Sequence, residues 1–420
     1  MKQWLAVIVL TLVASNAKAQ ISSQFFSMHS YSQWFYPPTQ SVQTSSWRTE
    51  PITELRWSNL NTASGVYDWT QLDSWIGTLQ QYGSSLLFNV WVTPSWASTC
   101  PECVCFDDQE ANGGCYPPND LNSNGTGTDQ KLKNFITALM QHEGPGKIKY
   151  IEVWNEPNIS TEWMGTVQQL VRMTQDIRTI AKSYDPNVEI LTPPETGDGP
   201  RSQDAPEMLW LQSYLAAGGG AYVDVITLHG YVMTPEDVIH RINNTEAAMA
   251  EYGQSGKPVF VTEGSWVLKY PAPTDQQPGF SFRQYLSILS TPVQRFFLMA
   301  FDNPNVGNLF NDATDQLTPN GTAYQLYYGW LEGATMTQPC QAQSSSSPVW
   351  TCNFTRAEGY QAEAIWDTAL PWGQTTTVTV PSQYTQYRDL YSNVYPITNH
   401  QVPIGFDPIW MENTNSSSQI

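Results

Sequence analysis

Two glutamates carry the chemistry that this sequence can perform. The first sits in the stretch Tyr150-Ile151-Glu152-Val153-Trp154-Asn155-Glu156-Pro157-Asn158. Its opening residues are β-branched and aromatic and read as a buried strand. Asn155, Pro157 and Asn158 stop that strand, because proline has no N–H to give to a ladder and asparagine favours turns. The second closes Val259-Phe260-Val261-Thr262-Glu263 and is followed by Gly264. A carboxylate at the end of a buried strand is costly unless it has a partner or a task. The two glutamates lie 107 residues apart (263 − 156), so only the tertiary fold can bring them together. Two carboxyl groups facing each other across a cleft are what glycosidic bond cleavage requires. One stays protonated and gives its proton to the leaving oxygen, and the other stays ionised and attacks the anomeric carbon.

The elements that would position them alternate regularly. Strands are expected at Gln24–His29, Ile52–Trp57, Ser85–Val92, the Glu156 stretch, Val188–Leu191, Val223–His229, Pro258–Thr262 and Arg295–Phe301. Helices are expected at Thr70–Tyr82, Lys131–His142, about Thr166 to Ser183, Ala205–Ala217, Thr234–Tyr252, Phe280–Leu289 and Thr322–Leu331. In the second of these Leu132, Phe135, Ile136 and Leu139 fall on one face. Strand-then-helix units in this number predict a (β/α)8 TIM barrel, whose functional groups collect at the carboxyl ends of the strands. No glycine-rich fingerprint follows the first strand, which argues against a dinucleotide-binding fold. From about Ala334 the pattern turns to strands without helices, at Val349–Thr355, Tyr360–Asp367, Thr375–Val380 and Gln401–Trp410. The expected organisation is therefore a barrel over 20–335, a small antiparallel, sandwich-like β domain over 336–412, and a disordered tail over 413–420.

Residues 1–19 carry the marks of a secretory signal peptide. Lys2 precedes an apolar run from Leu5 to Ala14 that is too short to span a bilayer, and Ala17-Lys18-Ala19 is a cleavage site of the A-x-A kind. Secretion or export to a periplasm is the expectation, without membrane insertion. Without Lys2 and Lys18 the chain has 17 basic and 38 acidic residues, a net charge of −21, which excludes nucleic acid and anionic membranes as electrostatic partners. Charged residues are nevertheless only 14% of the chain, against 17 Trp and 21 Tyr. That balance leans toward neutral sugars, on whose apolar faces flat rings stack. Six cysteines in an exported chain predict disulfides. Cys340 and Cys352 are one close pair, and Cys100, Cys103, Cys105 and Cys115 share one loop whose connectivity stays open. With no H-E-x-x-H motif and five scattered histidines, no metal or cofactor is expected.

Trp154-Asn155-Glu156-Pro157 resembles the Asn-Glu-Pro signature of clan A retaining glycoside hydrolases, and Val261-Thr262-Glu263-Gly264 resembles their second site. The resemblance runs over most of residues 25–335, and the added β domain makes it most like family 39. It implies a (β/α)8 enzyme in which Glu156 is the general acid/base and Glu263 the nucleophile. It further implies that Asn155 bonds the sugar 2-hydroxyl, that Arg56 in Leu55-Arg56-Trp57 pairs with the nucleophile, and that His229 and Tyr231 form a strand-six His-x-Tyr, the tyrosine orienting the nucleophile. His29 at the end of strand one reads as a satisfied core histidine. At the end of strand eight, where many members place a tryptophan, this chain has Phe301, Asp302 and Asn303. Phe301 would take over the stacking face and Asp302 or Asn303 would bind hydroxyls, while Trp91, Trp96 and Trp266 are candidate sugar platforms. The expected activity is hydrolysis of a poly- or oligosaccharide through a covalent glycosyl-enzyme intermediate. A carbohydrate-binding barrel without turnover and a transglycosylase using the same two glutamates are the alternatives.

Overall fold

The structure is a computed structural model and describes residues 19–30, 42–49, 53–105, 113–196, 209–266, 273–303 and 305–413. The expected signal peptide, up to residue 18, and all but the first residue of the expected tail lie outside them. Asn413 is tied down, its backbone N–H donating to the Gln361 carbonyl at 3.1 Å.

Eight parallel strands form the barrel: β1 (Phe26–His29), β2 (Ser46–Arg48), β3 (Ser85–Val90), β4 (Ile148–Val153), β5 (Glu189–Leu191), β6 (Ile226–His229), β7 (Val259–Glu263) and β8 (Arg295–Leu298). They pair in the order 5-4-3-2-1-8-7-6, and a bridge between Leu191 and Val225 closes the ring. From β2 onward each is followed by a helix: α1 (Thr70–Gln81), α2 (Gln130–Glu143), α3 (Val167–Tyr184), α4 (Leu209–Ala216), α5 (Asp237–Glu251), α6 (Gln277–Leu289) and α7 (Pro319–Leu331). This is the TIM barrel that the alternation predicts.

The second strand is a correction. Residues 53–57, expected within a strand, form a 3-10 turn (Thr53–Leu55) and the start of a short helix (Trp57–Leu60). The strand is instead Ser46-Trp47-Arg48, three residues held between Ser27–His29 and Ser85–Leu87. The apolar residues Leu55, Trp57 and Leu60 do go inside, but at helical rather than alternating spacing.

Alternation along the barrel strands separates two layers. Leu87, Tyr150, Leu191, Val225, Phe260 and Phe297 meet inside the barrel. Their neighbours Leu86, Phe88, Ile151 and Phe296 belong to the outer layer under the helices. Residues two further along, Asn89 and Glu152, keep the inward phase and face each other in register. A charged residue on the inward phase of a buried strand therefore points at the centre of the barrel mouth.

After a hairpin, β9 (Phe310–Asn311) with β10 (Gln316–Leu317), the chain enters the β domain. One sheet has six strands in the order β11 (Thr335–Ala342), β12 (Val349–Thr355), β13 (Gln361–Asp367), β18 (Ile409–Glu412), β15 (Gln386–Arg388) and β16 (Val394–Pro396). A two-stranded ribbon of β14 (Thr375–Thr379) and β17 (Gln401–Gly405) packs on it through Ile365, Val402, Ile404 and Met411. The stretch expected as one strand at Gln401–Trp410 is thus two strands in different sheets. The domain is docked on the barrel: Trp410 stacks on Trp330 of α7 at 5.7 Å. Buried Glu236 receives Arg283 of α6 at 2.7 and 2.8 Å and the Trp366 indole N–H at 2.7 Å. Cys340 and Cys352 are joined, and the loop after β3 contains Cys100–Cys103 and Cys105–Cys115.

One buried acid has a consequence for stability. Asp129, with φ +46°, precedes α2 and is fully buried. Burial pushes its carboxyl up to about 8, with Asp176 and Asp120 adding to the effect and Arg172 opposing it. The folded state thus holds a proton that the unfolded chain releases near pH 4, so its contribution to stability drains away as pH rises from about 4 to 8. Asp129→Asn, a residue that tolerates positive φ, is expected to flatten this slope. Thermal melts should show no gain near pH 4 and a gain on the order of 1–3 kcal/mol at pH 8. Equal shifts at both pH values would refute the assignment.

Candidate active site

The carboxyl end of β4 leaves the sheet through an unusual turn, with φ +65° at Trp154 and +38° at Glu156. Such values cost an L-residue roughly 1–2 kcal/mol each. The Trp154 indole holds the turn, packing edge-on to Trp163 at 4.6 Å and donating to the Glu162 carbonyl at 2.8 Å. The turn buries Asn155 and leaves the Glu156 side chain 12% exposed.

Glu263, at the end of β7, is 4% exposed and held by charge and hydrogen bonds. The Arg48 guanidinium donates through Nη1 to its Oε1, and the Tyr231 hydroxyl donates to its Oε2 at 2.7 Å. Arg48 is itself fully engaged in a buried network. Its Nε donates to Glu152 Oε2 at 2.5 Å and its Nη2 to Asn155 Oδ1 at 2.9 Å. Asn89 Nδ2 supports the network from β3, reaching Glu152 Oε2 at 3.0 Å and the Trp154 carbonyl at 2.7 Å.

His229, at the end of β6, lies between the two glutamates. Its Nδ1 is 2.8 Å from Glu156 Oε1 and its Nε2 is 3.4 Å from Glu263 Oε1. One oxygen of each carboxyl group and one nitrogen of this ring all lie within 4.8 Å of one another. The backbone here is anchored by buried Arg241, whose Nε donates to the His229 carbonyl at 2.7 Å and whose Nη2 donates to the Thr196 carbonyl. His29 is buried, its ring N–H donating to the Thr262 carbonyl at 2.7 Å.

The structure thus brings together Glu156, Glu263, Asn155, His229 and Tyr231. It puts Arg48, not Arg56, against Glu263. Arg56 sits at the N-cap position of the short Trp57–Leu60 helix, with its guanidinium 4.6 Å from the Trp91 ring. The aromatic residues expected as platforms are mostly packing. Trp266 is 6% exposed between Phe280 and Phe406, and Phe301 is 2% exposed on Phe310, with its edge to Trp47. Trp91 is buried, and Trp96 donates its indole N–H to the Asn61 carbonyl at 2.9 Å. Asp302 is buried and accepts from Ser30 Oγ at 2.9 Å. Arg48, Glu152 and Asn89 are the residues that sequence reasoning missed. Glu152 left a signal, an acid two positions past Tyr150 and so on the same inward face of the strand; Arg48 left almost none.

A closed (β/α)8 barrel thus brings two glutamates together at its mouth. Residues 122–324 match the family model described as glycosyl hydrolase catalytic core, a little under half of the chain. No curated protein matches the sequence. Among solved structures the fold is similar to a family 39 glycoside hydrolase from the gut symbiont Bacteroides cellulosilyticus WH2, with a TM-score of 0.69 at 15% identity over 93% of this chain and 82% of that one. It is also similar to a family 39 β-xylosidase from Caulobacter crescentus, with a TM-score of 0.61 at 16% identity over 95% and 98% of the two chains. A family 30 subfamily 8 xylanase from Clostridium acetobutylicum gives 0.60 at 12% identity over 94% and 97%.

Proposed function

We propose that this protein is an exported glycoside hydrolase that cleaves a poly- or oligosaccharide with retention of anomeric configuration. The observation that carries this reading is the approach of Glu156 and Glu263 to within 4.8 Å, oxygen to oxygen. Retaining enzymes hold their carboxyl groups about 5–5.5 Å apart, whereas inverting ones leave about 6.5–9.5 Å for a water molecule. Three disulfides fit an oxidising compartment outside the cytoplasm.

In the first step Glu263 attacks the anomeric carbon as the bond to the leaving oxygen breaks, and Glu156 gives that oxygen its proton. The product is a glycosyl ester on Glu263. In the second step Glu156 takes a proton from water, the resulting hydroxide attacks the same carbon, and Glu263 leaves as carboxylate. Arg48 and Tyr231 stabilise the charge on Glu263 at the start and end of this cycle. Asn155 spends its Oδ1 on Arg48, which leaves its amide N–H groups for the sugar 2-hydroxyl, a bond that strengthens in the transition state. The His229 ring links the two carboxyl groups.

Proton NMR of the reaction at early times tests the proposal. The neighbours named as xylosidase and xylanase make xylan and xylo-oligosaccharides the first substrates to try, with other neutral plant glycans after them. The anomer of the substrate bond should appear first and mutarotate later. An inverted first product would overturn the retaining mechanism, and binding without release of any product would favour a barrel that only holds sugar.

A further inference from the structure

We infer that the C-terminal β domain carries a second saccharide-binding site, separate from the paired glutamates. Exposed aromatic side chains are scarce among the described residues. Among the described residues four aromatic side chains are markedly exposed, Tyr82, Trp372, Tyr391 and Tyr395. Three of these four line one cleft of about 380 Å³, with exposures of 39% for Trp372, 46% for Tyr391 and 40% for Tyr395. Rings left in water at one place on an otherwise well-buried chain mark a binding surface. The volume lies in the range of about 300–1,000 Å³ typical of small-ligand pockets.

The polar groups of the cleft select the ligand. Its described lining holds two carboxylates, Asp389 and Asp407, and no lysine, arginine or histidine, so anionic ligands are repelled. Both acids are already fixed in direction. Asp407 Oδ2 accepts the Tyr391 hydroxyl at 3.0 Å, and Asp389 Oδ1 accepts the backbone N–H groups of Tyr391 and Asn393 at 2.9 Å each. Tyr387 stacks on Tyr395 at 5.0 Å, which stiffens the wall. Flat rings beside a fixed carboxylate suit a neutral sugar, which offers C–H faces to the rings and a hydroxyl donor to Asp389 Oδ2, an oxygen that also accepts Asn393 Nδ2 at 2.9 Å.

The position of the cleft points to the same polymer that the active site cuts, and to that extent the inference rests on the proposed function. Phe406 lines the cleft and stacks on Trp266 at 6.3 Å, and Trp266 lies three residues beyond Glu263. The cleft therefore borders the end of the barrel that carries the glutamates. A polymer held there is kept near the active site, which raises its effective concentration.

Affinity electrophoresis in native gels containing soluble xylan, mixed-linkage β-glucan or galactomannan tests the site. At least one polymer should retard the wild type. Trp372→Ala and Trp372→Ala/Tyr395→Ala should weaken that retardation about ten-fold, while hydrolysis of a short aryl glycoside stays within two-fold of wild type. Those surface changes leave the core intact, and the unchanged small-substrate activity reports correct folding. Absence of retardation in every gel, or retardation unchanged in both variants, would overturn the proposal. So would a shift from dimer to monomer in sedimentation with unchanged retardation, which would give the face to a second copy of the chain. If Glu263→Ala leaves turnover intact but Trp372→Ala still abolishes retardation, the catalytic reading fails and the binding site stands.

Discussion

Glu263→Gly is expected to lower kcat/KM by about 10⁴-fold or more, because the step that forms the glycosyl ester loses its nucleophile. Azide should restore part of the rate. The anion fits the space of the missing carboxylate beside Arg48 and Tyr231, attacks the anomeric carbon directly, and displaces the leaving group in a single step. The product is then a glycosyl azide of inverted configuration. Glu156→Ala separates the two roles. Azide would attack the ester already formed on Glu263, and its product would keep the configuration of the substrate. Mass spectrometry and NMR of the azide adducts distinguish the two. An inverted adduct from Glu156→Ala and a retained one from Glu263→Gly would exchange the assignments, and full activity in Glu263→Gly would end the catalytic reading of that residue.

The second large effect is at an arginine. Arg48→Met is expected to lower kcat/KM by about 10²–10⁴-fold, whereas Arg56→Met should stay within about three-fold of wild type. Arg48 reaches Glu263, Glu152 and Asn155 at once. Its removal leaves two buried carboxylates without their cation and frees the Asn155 amide to rotate. Breaking a buried ion pair from one side costs about 3–5 kcal/mol, so the variant should also melt at a lower temperature. Arg48→Met/Glu152→Gln removes one of the stranded charges and is expected to regain stability without regaining activity. That split distinguishes a role at Glu263 from a merely structural one. Arg56, by contrast, lays its guanidinium over the Trp91 ring at 4.6 Å. Equal losses in Arg48→Met and Arg56→Met would return Arg56 to the site.

The two arginines show how far local pattern reaches. In Ile52–Trp57 apolar residues flank an arginine, the alternation of a half-buried strand. Leu55, Trp57 and Leu60 are equally compatible with a helical face, and the chain takes that course. The true strand, Ser46-Trp47-Arg48, is three residues long and has one apolar side chain. Nothing in it announces a strand, since its pairing is imposed by β1 and β3 on either side. A short central strand gains its ladder from its neighbours, and local propensity has little say. Phe301 and Trp266 illustrate the other side of this. An aromatic residue at a strand end can serve a ligand or the core, and partners distant in sequence, Phe310 and Trp47 for one, Phe280 and Phe406 for the other, decide for the core.

What the sequence determined by itself was the scaffold and the two carboxylates. Seven of the eight barrel strands and the seven helices that follow, the two abrupt strand stops at Glu156 and Glu263, and the change to strands after the last helix are all local signals, written in hydrophobic period and turn chemistry. What only the tertiary structure decided was who stands beside those carboxylates. Arg48 comes from 215 residues before Glu263, whereas Tyr231 and His229, at and just past the end of β6, are neighbours that the family resemblance already implies. The pairing of four clustered cysteines as 100–103 and 105–115 was likewise decided in space. The physical reason is the same in each case. A strand end can be read from a few residues of sequence, but a charge is satisfied by whatever the closed barrel places within about 3 Å of it, and that neighbour is set by strand order and register.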